Sequence, residues 1–214
     1  MAGRITALEP QKRSGNRINV FLDDVFAFGA AVILAASLTV GMWLSDDDIA
    51  ALKTTDEIER AREKALNYLS YRPRSEAELQ RYLAEQEFSD AAVTEVLHRL
   101  STVGLVDDNA FAEYWVDNRV RFRPRGKRVL VQELRQKGVA TRIIEETLTA
   151  FDETSAAQQV AEQQVRRLSH LPPDKLRRRL WERMARRGFT SDIIQEILAT
   201  QPFSYSNNEE SEEF

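Results

Sequence analysis

Apolar positions first alternate with polar ones and later recur at helical spacing, and this change of period divides the chain. Ile18, Val20 and Leu22 alternate with Asn19 and Phe21, Asp23-Asp24 interrupts, and Phe26 and Phe28 resume the alternation. Successive strand side chains point to opposite faces, so the pattern predicts a β-hairpin that turns at the two aspartates. The hairpin leads into a short buried helix at about 30–38. Past residue 60 the period becomes that of amphipathic helices, and the sequence begins to repeat itself.

Arg72-Pro73-Arg74 returns fifty-one positions on as Arg123-Pro124-Arg125, and more loosely as Leu171-Pro172-Pro173. Downstream, Leu79, Leu130 and Leu180 keep step, then Leu83, Leu134 and Met184, then Phe88, Val139 and Phe189. Val93, Ile144 and Ile194 follow, then Leu97, Leu148 and Leu198, with Gly138 and Gly188 just ahead of Val139 and Phe189. Each copy reads as three helices. The first ends near the proline and carries small or apolar residues at helical spacing, such as Ala61, Ala65 and Leu69 or Ala112, Trp115 and Val116. The second starts at or just past the proline, where fixed φ and a missing N–H are tolerated, and stops at the glycine. The third opens with a cap, Ser89, Thr141 or Thr190. Ser75 and Glu78 have capping-box spacing.

The predicted architecture is therefore mainly α: three tandem three-helix repeats at 61–106, 107–153 and 154–202, behind a β-hairpin-plus-helix module at 1–60. A unit of this kind buries its apolar stripe poorly alone, so the three are expected to stack into an elongated, curved array. Residues 203–214 read as an acidic disordered tail.

Val25 to Leu44 is twenty residues without a formal charge, long enough for a membrane span. Gly29, Ser37, Thr39 and Gly41 soften it, and aspartates rather than Lys or Arg bracket it, which favours the hairpin-and-helix reading over a membrane anchor. Four basic and three acidic residues ahead of the apolar stretch at 32–34 do not fit a secretory signal.

Composition narrows the chemistry. With no Cys and only His98 and His170 as imidazoles, disulfide, zinc-ribbon and cysteine-nucleophile chemistry is excluded, and neither a metal nor a cofactor is expected. No Gly-rich phosphate loop or nucleophile elbow is present, so no active site is expected. Trp43, Trp115 and Trp181 read as core, the two histidines as surface or capping residues, and Tyr68, Tyr71, Tyr82 and Tyr114 as packing residues with base stacking as the alternative.

The net charge of −4 is unevenly distributed. Residues 119–187 carry 18 basic and 8 acidic side chains, while 1–60 with 203–214 carry 6 and 13. One basic cluster, Arg119, Arg121, Arg123, Arg125, Lys127 and Arg128, falls between the first and second helices of copy two. Cations at a helix N-terminus oppose the macrodipole, so that cluster and the free N–H groups there are expected to suit an anion. A second runs from Lys175 through Arg177 to Arg187. On that helix Leu176, Leu180, Trp181 and Met184 share one face, leaving Arg178, Arg179, Arg183 and Arg186 largely opposite it as candidate binding residues.

Several linked motifs carry a family resemblance: Ala65-Leu66-Asn67-Tyr68-Leu69, Arg72-Pro73-Arg74-Ser75-Glu76-Ala77-Glu78-Leu79, Gly104-Leu105-Val106-Asp107-Asp108-Asn109-Ala110-Phe111-Ala112, Arg125-Gly126-Lys127 and Glu133-Leu134-Arg135-Gln136-Lys137-Gly138-Val139. Over about 61–200 the chain resembles the RecX family of bacterial recombinase regulators. The resemblance implies a cytoplasmic, monomeric, non-enzymatic protein that binds the RecA recombinase–DNA filament along its groove. It also implies inhibition of recombinase and coprotease activity, with consequences for DNA repair and the SOS response. The acidic ends depart from the basic character common in the family and favour a protein or nucleoprotein partner over tight binding to free single- or double-stranded DNA. A direct DNA-binding array of three-helix units is the competing reading.

Overall fold

Asp23 and Asp24 adopt φ of 46° and 67°, the left-handed pair that a two-residue hairpin turn requires, and the strands on either side follow from it. The computed structural model describes residues 2–11 and 15–200, and the acidic segment 203–214 lies outside them. Strands β1 (Gly3–Pro10), β2 (Arg17–Leu22), β3 (Val25–Ala31) and β4 (Trp43–Leu44) form an antiparallel sheet in the order β3-β2-β1-β4. The hairpin is thus half of a larger sheet. β1 escapes the alternation pattern because its register shifts between Ile5 and Ala7, which puts Ile5 and Leu8 out of period. Ile5, Val20, Leu22, Phe28, Ala30, Leu38, Leu44 and Ile49 form the module's core.

The expected helix at 30–38 shortens to α1 (Val32–Ala35), with Ala35 and Leu38 buried and Ile33 exposed. Only one face of this turn has anything to pack against. Trp43, expected in the core, is 58% exposed on the two-residue edge strand β4, whose neighbour Leu44 takes the inward position. The uncharged stretch 25–44 therefore holds two strands and a four-residue helix, and no helix among the described residues is long and apolar enough to cross a membrane.

Helix α2 (Asp46–Ser70) crosses residue 60 without a break, so one helix serves both the sheet and the first repeat. A capping box starts it: Asp48 N–H donates to Ser45 Oγ (3.1 Å) and Ser45 N–H to Asp48 Oδ2 (2.9 Å). Ser45 Oγ also donates to Asp48 Oδ2 (2.6 Å), and this bond and then the one from Ser45 N–H hold the Asp48 carboxyl below its usual range, while Asp46 to Asp48 complement the helix dipole. The aspartates that bracket the uncharged run are thus a helix start. Asp56, buried on α2, accepts from Ala31 N–H and from Arg17 Nη2, both at 2.8 Å, and Arg17 also donates to Gly29 O. That network clamps β2 and β3 onto α2.

The first repeat comprises the end of α2, α3 (Glu76–Glu85) and α4 (Asp90–Thr102). The second comprises α5 (Asp108–Phe122), α6 (Lys127–Gln136) and α7 (Thr141–Thr149). The third comprises α8 (Glu153–Leu168), α9 (Pro173–Arg186) and α10 (Ser191–Thr200). All five apolar positions that keep step between copies are buried, each set inside its own core. Ser75 and Ser89 accept from backbone N–H groups three residues on, as their spacing predicts. Thr141 differs: it is the first helical residue of α7, Ala140 is the N-cap, and no side chain caps that end.

The second helix of each copy ends at a left-handed residue: Gly138 at φ 83°, Gly188 at φ 89° and, in the first copy, Glu87 at φ 62°. The chain divides into two compact units, Met1–Asp107 and Asp108–Phe214, so the sheet and first repeat form one and the second and third repeats the other.

Candidate functional site

The basic cluster of the second copy separates into parts with different work. Arg119 is a packing residue: its Nε donates to Glu133 Oε2 (2.7 Å), its guanidinium lies 4.4 Å from the centre of the Trp115 ring, and Trp115 Nε1 donates to the same carboxylate (2.8 Å). With Arg121 it sits in the last turn of α5, the negative end of that helix, where a cation is favourable. The expected conflict with a helix N-terminus therefore concerns only Lys127 and Arg128. The expected supply of free N–H groups there is also reduced, since Lys127 N–H donates to Glu153 Oε1 (2.9 Å) and Gly126 N–H to Arg187 O (2.9 Å). Arg121, Arg123 and Arg128 are exposed, and Arg125 is half-buried.

On α9 the apolar face is inward as expected, with Leu176, Leu180 and Met184 buried and Trp181 packed on the third core. Arg178 and Arg179 are exposed and share one carboxylate, Glu182, at 3.1 and 3.7 Å. Pairs so open to solvent contribute little stability and leave both cations available. Arg186 is exposed as well. Arg183 points elsewhere, donating through Nη1 to Oε1 of the buried Gln164 on α8.

Gln164 and Arg183 occupy positions that match across copies. Seven residues past a fully buried alanine in the first helix of each copy, Ala61, Ala112 and Ala157, stand Tyr68, Arg119 and Gln164. Each meets the second helix at an equivalent residue. Tyr68 stacks on Tyr82 (4.0 Å between ring centres, 8° between planes), Arg119 pairs with Glu133, and Gln164 bonds Arg183. Three chemistries do one job, tying the first helix to the second. Tyr68 and Tyr82 are accordingly packing residues, and Arg74 lies over Tyr68 at 3.7 Å.

The second and third repeats meet backbone to backbone. A Cβ on Gly126 would stand 2.2 Å from Gly188 O, and one on Gly188 would stand 2.5 Å from Val129 Cγ2, so only glycine fits this approach at Gly126. Arg187 Nη1 faces Pro124 O at 3.5 Å. Burial, and then the neighbouring guanidinium groups of Arg125, Arg183 and Arg167, press Arg187 below the ordinary arginine value. Arg125 Nε is buried with no hydrogen-bond partner among the described residues. Sequence patterning placed Arg187 in the second basic cluster but did not single out Arg167 or join either to Arg125, because it reads charge along one helix and this cluster is assembled from three elements. No group of three or more potential metal-ligating His, Asp or Glu side chains occurs among the described residues.

These features define a protein of tandem three-helix domains with a sheet module built onto the first helix. The sequence models for the RecX N-terminal domain and for the first, second and third RecX three-helix domains match residues 3–45, 61–100, 107–148 and 152–198. The chain belongs to the RecX family. The regulatory protein RecX of Bacillus subtilis is 34% identical over 213 residues, covering 97% of this chain and 80% of its own length. That of Bacillus licheniformis is 33% identical with the same coverage. A crystal structure of a regulatory protein RecX superposes with a TM-score of 0.70 at 29% identity, covering 92% of this chain and 98% of the other. RecX from Lactobacillus salivarius gives a TM-score of 0.60 at 26% identity, covering 68% and 96%.

Proposed function

We propose that this chain is a non-enzymatic, monomeric, cytoplasmic regulator that binds the RecA recombinase–DNA filament and lowers its recombinase and coprotease activity, acting in DNA repair and the SOS response. The observation that carries the reading is the match to the RecX regulatory family in all four domains, from the sheet module to the third repeat. The exposed cations Arg121, Arg123, Arg128, Arg178, Arg179 and Arg186 supply a surface suited to an acidic nucleoprotein.

The test is ATP hydrolysis by the cognate RecA on single-stranded DNA, with filament co-sedimentation. Stoichiometric protein is expected to bind the filament and slow hydrolysis; neither effect at excess protein would overturn the proposal. Reversing Arg178, Arg179 and Arg186 to Glu is expected to weaken filament binding with the melting temperature unchanged. Arg183 is left out because it holds Gln164. Direct binding to free DNA, the second reading, draws on the same cations and predicts tight binding to free duplex DNA that falls steeply with salt, with no effect of the protein on hydrolysis by RecA.

A further inference from the structure

The chain gives its other inward-facing arginines a partner. Arg17 meets Asp56 at 2.8 Å, Arg72 meets Glu78 at 2.9 Å, Arg119 meets Glu133 at 2.7 Å, and Arg74 lies on a tyrosine ring. At the seam between the second and third repeats Arg125 departs from this rule: its Nε is buried with no hydrogen-bond partner among the described residues, and Arg187, which bonds Pro124 O, and the exposed Arg167 bring two further guanidinium groups to the same place. Arg125 lies between Pro124 and Gly126, both of which touch Arg187, through Pro124 O to Arg187 Nη1 and Gly126 N–H to Arg187 O. Arg167 lies one turn beyond Gln164 on α8, and Gln164 binds Arg183, one turn before Arg187 on α9. No carboxylate pairs with Arg125, Arg167 or Arg187 among the described residues. At the start of α6 Glu153 accepts from Lys127 N–H.

We propose that this seam is an oxyanion site that holds a phosphate of the DNA strand, with the guanidinium groups of Arg125, Arg167 and Arg187 as its donors. The proposal rests on the reading that the chain acts on a DNA-loaded filament, and it names what the seam would contact there. Like charges gathered around the half-buried Arg125 and Arg187 repel, and an anion bound among them would relieve that repulsion. Each of the two charged oxygens of a phosphodiester can accept from more than one guanidinium N–H, so arginines arriving from three elements can share it, and the DNA strand of the filament supplies that anion. The glycine contact fixes the two backbones that carry Arg125 and Arg187, so the donors are ordered before the anion arrives.

The test uses the full chain and a short fluorescent oligothymidylate, with anisotropy read across a salt series. Arg167 is exposed, so Arg167→Gln keeps the fold and is the deciding variant, with Arg125→Gln beside it. Each is expected to weaken binding roughly tenfold at low salt and to reduce the log–log salt slope by about 0.7. The methylphosphonate oligothymidylate, which keeps the bases and lacks the backbone charge, should bind the unmodified protein and Arg167→Gln equally weakly. Wild-type affinity and slope in Arg167→Gln would overturn the proposal, as would binding of a fluorescent polyglutamate peptide combined with no binding of the oligonucleotide. If Arg167→Gln loses oligonucleotide binding yet still co-sediments with the filament and slows hydrolysis, the seam contacts DNA as proposed but is not needed for regulation. Absence of any filament effect in the unmodified protein would instead count against the proposed function.

Discussion

Glu87 occupies the left-handed position that Gly138 and Gly188 fill in the other repeats, with φ of 62°. An L side chain pays about 1 kcal/mol or more for that conformation. Glu87→Gly is therefore expected to stabilise the protein by about 1 kcal/mol despite the added backbone freedom of the unfolded chain, as read from urea midpoints at constant m. Asp56 is the opposite kind of residue, a buried carboxylate with two donors aimed at it. Asp56→Ala strands the Arg17 guanidinium and the Ala31 N–H and should cost about 3 kcal/mol, whereas Asp56→Asn keeps an acceptor and should cost less. Asp48 adds a pH dependence of defined sign. Its folded carboxyl is held low by the Ser45 side chain and backbone, so its contribution is present above the unfolded value and is lost as pH falls through the folded one. Carbon-detected NMR titration should place the Asp48 midpoint below that of a free aspartate.

Within an element pair, the three junction couples make the substitution pattern of the repeats interpretable. Tyr68 with Tyr82 can be exchanged for Arg119 with Glu133 only as a couple, because one half alone leaves a guanidinium, a carboxylate or a ring without its complement. Arg119→Tyr and Glu133→Tyr are each expected to destabilise the protein, and the double variant to recover about 1 kcal/mol of the summed loss in a double-mutant cycle. The same scale explains what the sequence alone could reveal. The five in-register apolar positions are sufficient to locate the second and third helix of every repeat, because helical spacing and burial are one fact seen twice. β1 stays hidden because its bulge shifts Ile5 out of register with Ala7, and α2 hides its start inside an aspartate run that can also be read as the border of an apolar segment. The arginines of α9 are legible as an outward face apart from Arg183, whose partner Gln164 comes from another helix. Pairings of that kind are set by tertiary packing, which one-dimensional spacing does not encode.

For the molecule as a whole, the unit Asp108–Phe214 depends on an approach with no room for a side chain. The Gly126 N–H bonds Arg187 O while the Gly126 Cα faces the Gly188 carbonyl, so the second helix of one repeat begins against the end of the second helix of the next. Gly126→Ala would place a methyl 2.2 Å from Gly188 O, backbone against backbone, with no flexible side-chain end to yield. Overpacking of this severity costs about 3 kcal/mol. The cost should fall on the docking of the two repeats, since the cores around Leu130 and Leu180 are separate and each is complete. Hydrogen exchange resolved along the chain is the measurement. In Gly126→Ala, amides at the start of α6 and the end of α9 should lose protection together, while those around Val20 in the sheet and Leu79 in the first repeat keep it. Because the same contact holds Arg125 beside Arg187, oligonucleotide binding should weaken in this variant although every arginine remains. Uniform loss of protection across the chain would mean that Gly126 serves global stability, and unchanged protection with unchanged binding would mean that the seam has no part in ordering the cations.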